Sequence, residues 1–169
     1  MIKNMGESML FARKTLVTAS IALSAVVGAL ATASPASAAI STGSDSVGDC
    51  DAQCLVLYYN TGYAGSHTTI HSTTPNGGEG VYDLSAYTFQ SGGAGQGKNL
   101  KNNAASAKAR IWGIDSSVTV YFNSGYAGPC DKFQKTEYPS AWQLSNTYNE
   151  NASVYFRNIP VNQGCVNFG

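Results

Sequence analysis

Two histidines, His67 and His71, stand four residues apart in SHTTIHS, the spacing at which helical imidazoles share a zinc ion. The residues between them favour a strand, and on a strand the two rings sit roughly 13 Å apart, too far for one metal. They read as surface histidines. Glu79, Asp83 and Glu137 are carboxylates of the kind that glycoside hydrolysis uses in pairs, but nothing in their placement singles out a pair. There is no G-x-S-x-G elbow, and an even count of four cysteines leaves no obvious free thiol. These residues predict no catalytic centre and hence a protein that is not an enzyme.

Other polar side chains recur as a pattern. KNNAASAKAR (101–110) and YNENASVYFR (148–157) superpose on their serines, matching Ala105-Ser106 with Ala152-Ser153 and Arg110 with Arg157. Each is an Asn-rich loop running into a strand, of the type whose side chains hydrogen-bond their own backbone. A second repeat is sharper still. YYNTGYAG begins at Tyr58 and YFNSGYAG at Tyr121. In each, two aromatics bracket a tight turn (Tyr58 and Tyr63, Tyr121 and Tyr126), and a glycine follows two residues on (Gly65, Gly128). A hairpin folded back over its own sheet stacks such rings across the turn, and the glycines supply the positive φ of the bend.

The elements around these repeats are strands. LVLYYN, SHTTIHS, KARIWGI, SVTVYFN and SVYFRNI are rich in Val, Ile, Thr, Tyr and Phe and are separated by Gly, Asn, Asp and Pro clusters. At most YDLSAYTF (82–89) and SAWQLSN (140–146) predict single helical turns. SGGAGQGKN (91–99) reads as a mobile glycine-rich loop, unsuited to preorganised recognition. AGPCDKFQKTEYP (127–139), with Pro129 and Pro139 at its ends and Cys130 anchoring it, is the segment best suited to grip another protein.

The start of the chain predicts export. Lys3, Arg13 and Lys14 precede a small-residue apolar stretch (16–33), and Ala36-Ser37-Ala38 offers a cleavage site, giving a signal peptide over 1–38. Cleavage leaves about 131 residues, one domain's worth: a polar lead-in over 39–49 and a domain over 50–169, divided near 114 into two units. Seven basic and nine acidic residues then remain, which is no nucleic-acid footprint. No other apolar run reaches membrane-spanning length, so no membrane contact is expected after cleavage. In an exported chain Cys50, Cys54, Cys130 and Cys165 predict two disulfides with three connectivities. Two cysteines per unit favour Cys50–Cys54 and Cys130–Cys165.

Aromatic-x-x-x-x-aromatic-x-Gly, met twice, resembles the Greek-key signature of the βγ-crystallin family. The resemblance implies an all-β fold, a β-sandwich of two Greek keys (about 50–114 and 115–169), with one signature in each. Calcium-binding members of that family carry Asn/Asp, Asn/Asp, two free positions, Ser/Thr and Ser in the Asn-rich loop. Asn102, Asn103 and Ser106 match in the first copy, and Asn149, Glu150 and Ser153 in the second, while Ala107 and Val154 depart from the last position. The resemblance thus implies at most a weak calcium site, with no cofactor required.

Within the superfamily, Cys50-Asp-Ala-Gln-Cys54-Leu55 followed by aromatic residues, together with 144–158, is similar to secreted bacterial metalloproteinase inhibitors of crystallin fold. That resemblance implies a secreted, monomeric inhibitor whose partner is a secreted protease; the gripping residues expected from the 127–139 segment are Pro129, Cys130, Asp131, Lys132 and Phe133. A weakly calcium-binding structural module and a secreted killer-toxin-like protein are the alternatives this fold offers.

Overall fold

The computed structural model describes residues 40–74, 78–113, 115–157 and 164–169; the expected signal peptide lies outside them. Ten strands form: β1 (Ile40–Gly43), β2 (Cys54–Asn60), β3 (Ala64–Ser72), β4 (Glu79–Val81), β5 (Ser106–Arg110), β6 (Ser117–Asn123), β7 (Ala127–Gln134), β8 (Ser140–Ala141), β9 (Ser153–Arg157) and β10 (Val166–Phe168). Four of the five strand-type runs of the sequence fall in β2, β3, β6 and β9, while KARIWGI shares only Lys108–Arg110 with β5. Where a polar lead-in was expected, Ile40–Gly43 pairs antiparallel with β3.

The strands make two five-stranded sheets, ordered β1-β3-β2-β5-β8 and β10-β7-β6-β9-β4. β2 and β6 lie at their centres, because these are the runs richest in large apolar and β-branched residues. Alternate residues face the other sheet. Leu55, Leu57, Ile70, Ala107 and Ala109 from the first sheet meet Val118, Val120, Phe133, Val154 and Phe156 from the second. Each fully buried Leu, Val or Phe contributes about 2 kcal/mol.

The two units exchange a strand. β4 follows β3 along the chain yet pairs with β9, and β8 follows β7 yet pairs with β5. Each Greek key thus completes the other's sheet, so neither sheet is closed by one unit alone. The all-β, two-key sandwich expected from the signatures is the observed architecture. Two additions extend its edges: β1 on β3, and β10, which runs parallel to β7. The disulfides join Cys50 to Cys54 and Cys130 to Cys165.

Of the two predicted helical turns, only the first forms, as a 3-10 turn over Leu84–Ala86; SAWQLSN begins with β8 instead. The glycine-rich segment is pinned. Ser66 donates its backbone N–H to Ala94 at 2.8 Å, Phe89 to Lys98 at 2.9 Å and Gly97 to Phe89 at 2.9 Å. A Cβ on Gly95 would lie 2.2 Å from the Tyr59 ring, so glycine serves close approach there rather than mobility.

Candidate functional site

The doubled octapeptide forms two folded hairpins of matching geometry. The Tyr58 and Tyr63 rings meet edge-on at 5.8 Å, and the Tyr121 and Tyr126 rings lie tilted at 6.2 Å. Both second tyrosines adopt the left-handed conformation, φ 60° and 61°. A serine from each Asn-rich repeat braces the bend. Ser106 Oγ donates to the Asn60 carbonyl at 2.6 Å and accepts the Tyr63 N–H at 3.0 Å. Ser153 Oγ does the same for Asn123 (2.7 Å) and Tyr126 (3.0 Å). Burial raises the Tyr58 phenol pKa, and burial beside Tyr155 and other tyrosines raises that of Tyr126, so both stay neutral.

The Asn-rich loops of the two units are tied to each other. Asn102 donates its backbone N–H to the Asn151 carbonyl at 2.8 Å, and Asn149 to the Ala104 carbonyl at 2.9 Å. Asn102 and Asn149 both stand at positive φ, 61° and 54°. Between them the fully buried Asn151 side chain accepts the Ala104 N–H at 2.9 Å and donates to the Leu100 carbonyl at 2.8 Å. The sequence reading passed over Asn151, although its place opposite Ala104 in the repeat marks it as a polar residue where the first copy has none. The paired loops and the Asn60 bend enclose a cleft of about 390 Å³.

These loops offer a calcium ion few side-chain ligands. The two serines are committed to the hairpins, the first loop offers only amide and backbone oxygens, and the second adds Glu150 alone. Among the described residues no three His, Cys, Asp or Glu side chains converge. Calcium affinity rises with carboxylate count, and this set leaves a dication largely uncompensated.

The segment 127–139 divides into two parts. Ala127–Gln134 is β7, with Cys130, Asp131, Lys132 and Phe133 buried and only Ala127 to Pro129 exposed at its start. The expected gripping residues are therefore a core strand. Pro129 stands at the exposed start of the strand, and the Asp131 carboxylate is structural. Asp131 is fully buried and accepts from the Ser145, Asn146 and Thr147 N–H groups, each at 3.0 Å, and from Thr147 Oγ1 at 2.7 Å. Burial lowers the Lys132 ammonium pKa.

The exposed part is 135–139. It runs alongside β5, since Ile111 donates to the Glu137 carbonyl and Ala109 to the Pro139 carbonyl, both at 2.9 Å. Arg110 secures it from below. Its guanidinium donates to the Cys50 carbonyl, lies 3.7 Å from the Glu137 carboxylate and 5.8 Å from both the Trp112 and Tyr138 rings. Those two rings are about half exposed, and Trp112 lines a second cleft of about 370 Å³ together with Ile111, Lys135, Thr136 and Glu137.

The remaining candidates are engaged locally. Glu79 is buried and accepts from Ser72 Oγ at 2.5 Å and from Thr74 N and Oγ1 at 3.0 and 2.9 Å. Asp83 caps the 3-10 turn through the Ser85 N–H, and Lys101 lies 3.2 Å away. His67 bonds the Ser44 carbonyl and Ser91 Oγ, while His71 meets Asp45 at 3.0 Å.

The chain is similar to a βγ-crystallin domain solved in connection with the evolution of the eye lens domain fold, at 13% identity and a TM-score of 0.46, covering 72% of this chain and 100% of that one. It is also similar to the N-terminal domain of protein S, at 18% identity and a TM-score of 0.41, covering 64% and 99%. No protein-family model matches the sequence, and no curated protein matches it.

Proposed function

We propose that the protein is an exported, non-catalytic inhibitor that blocks an extracellular metalloprotease with the 135–139 segment. The observation that carries this reading is the clamped, bent segment around half-exposed Tyr138, held by hydrogen bonds from Ala109 and Ile111 and by Arg110. A projecting side chain on a loop already fixed in place loses little entropy on entering a protease cleft. The Cys130–Cys165 bridge secures β7 just upstream, and Arg110 ties the segment to the Cys50 carbonyl beside the second bridge. Two disulfides suit an oxidising compartment, and no helix among the described residues is long and apolar enough to cross a membrane.

The test is residual activity of a thermolysin-type metalloprotease, with a subtilisin alongside, titrated with the purified protein. Stoichiometric loss with the first, relieved by Tyr138→Gly, supports the reading. Full activity of both enzymes at excess protein overturns it.

A further inference from the structure

We propose that the cleft between the two Asn-rich loops binds the hydroxyl groups of a neutral saccharide. Its polar lining consists of Asn60, Thr61, Asn102, Asn103, Tyr148 and Asn149, with no charged side chain among them. The nearest lysine in sequence is occupied elsewhere: Lys101 Nζ donates to Asp83 at 3.3 Å and to Ser124 Oγ at 2.9 Å. The side chains of Asn60, Thr61, Asn102, Tyr148 and Asn149 have no hydrogen-bond partner among the described residues. Five donor-acceptor groups therefore face solvent around one cavity, uncommitted to the fold.

The chemistry of that lining selects its ligand. An amide carries an acceptor oxygen and two donor hydrogens on one planar group, and a sugar hydroxyl is itself both donor and acceptor. Neighbouring hydroxyls on a pyranose can thus be met in pairs by Asn102 and Asn149. Anions find no cation here, and a metal dication finds no carboxylate in the lining. The Tyr59 and Tyr148 rings give the apolar C–H face of a sugar ring something to pack on. Tyr59 is itself held by an edge contact with Phe89 at 5.5 Å. A volume of about 390 Å³ lies at the small end of small-molecule sites, right for a sugar unit or two.

The site is also preorganised. Asn102 and Asn149 owe their left-handed backbone to the reciprocal hydrogen bonds between the loops and to buried Asn151 beneath them. Little freedom is left in the lining backbone to be lost when a ligand binds. The cleft lies apart in sequence from the 135–139 segment, so this assignment stands or falls independently of protease inhibition.

The experiment is a ¹H–¹⁵N NMR titration of the purified protein in EDTA with cellohexaose, chitohexaose, maltohexaose and xylohexaose, each to about 10 mM, the weak end of useful affinity. At least one sugar is expected to shift the amides of Asn60, Asn102 and Asn149. Asn102→Gly and Asn149→Gly keep the positive φ while removing the amide, and each is expected to weaken that binding about tenfold or more with the remaining spectrum unchanged. Absence of shifts with all four sugars overturns the proposal. So do shifts at these residues that appear only on adding calcium, which would assign the loops to a cation, and shifts that survive both glycine variants.

Discussion

Asn151 of the second Greek key accepts the backbone N–H of Ala104 in the first at 2.9 Å, entirely shielded from solvent. The same amide donates to Leu100 at 2.8 Å, so one side chain holds the first loop at two points. The strand exchange ties the sheets together, and Asn151 ties the loops that border the cleft.

Asn151→Ala is accordingly expected to be costly. It leaves the buried Ala104 N–H and Leu100 C=O without a partner, for a loss of about 3 kcal/mol. Urea unfolding of the two proteins measures it. A loss under about 1 kcal/mol would mean that water replaces the amide and that the loops are not stitched by it.

The turn glycines are covered by exposed aromatics from the opposite key. Gly62 donates its N–H to the Trp142 carbonyl at 2.9 Å and Gly125 to that of Tyr82 at 2.9 Å. A Cβ on Gly62 would sit 2.8 Å from the Trp142 ring at φ 69°, whereas one on Gly97, at φ 76°, meets nothing within 4 Å. Gly97→Ala is expected to cost about 1 kcal/mol from backbone strain alone, and Gly62→Ala about twice that or more. In a Trp142→Ala background the Gly62→Ala penalty should fall to the Gly97→Ala value. Equal penalties with and without the indole would show that the ring moves aside freely.

The parts legible in the sequence are those that local chemistry determines. The doubled octapeptide predicted the folded hairpins, because aromatics flanking a glycine turn have few other arrangements. The central strands were visible as β-branched and aromatic runs. β4 and β8 were not, since three-residue and two-residue strands carry no period and owe their existence to the partner sheet. Pro129, Pro139 and the anchoring Cys130 suggest one loop over 127–139, whereas its first eight residues form β7. Only the fold reveals that Asp131 receives three backbone N–H groups from 145–147. Ser106 and Ser153 were found as repeated positions, but the repeat could not tell a cation ligand from a brace. The cleft itself was invisible, because its lining comes from 59–61, 102–105 and 148–149 at once.

Asp83 gives the molecule an acid-sensitive point. The Ser85 backbone N–H chiefly, with the Ser85 hydroxyl and the Lys101 ammonium adding to it, holds its pKa down at about 2, from 3.8. A carboxylate with a depressed folded-state pKa contributes its full stabilisation above 3.8, and that contribution is lost as the pH falls toward 2. The group is well exposed, so solvent screens the effect and keeps it small. Asp83→Asn is expected to lower Tm slightly at neutral pH and to show a shallower Tm decline than the parent between pH 3.8 and about 2. Parallel declines in thermal melts across that window would remove Asp83 from the acid response.

The two disulfides should differ in what they contribute. Cys130–Cys165 spans a sequence separation of 35 and Cys50–Cys54 one of only 4. If the bridges act by restricting the unfolded chain, the long loop is worth about 4 kcal/mol and the short one about 2 kcal/mol. The long bridge also delivers the chain to β10, whose parallel pairing with β7 involves only three residues and cannot hold by itself. Replacing Cys130 and Cys165 together by alanine should therefore lower stability more than replacing Cys50 and Cys54. It should also raise hydrogen exchange at 166–168 while leaving β2 and β6 protected. The 135–139 segment follows β7 directly, so the same variant should lose potency against the metalloprotease while remaining folded. Equal destabilisation by the two double variants would place the stabilisation in local packing around each bridge rather than in loop closure.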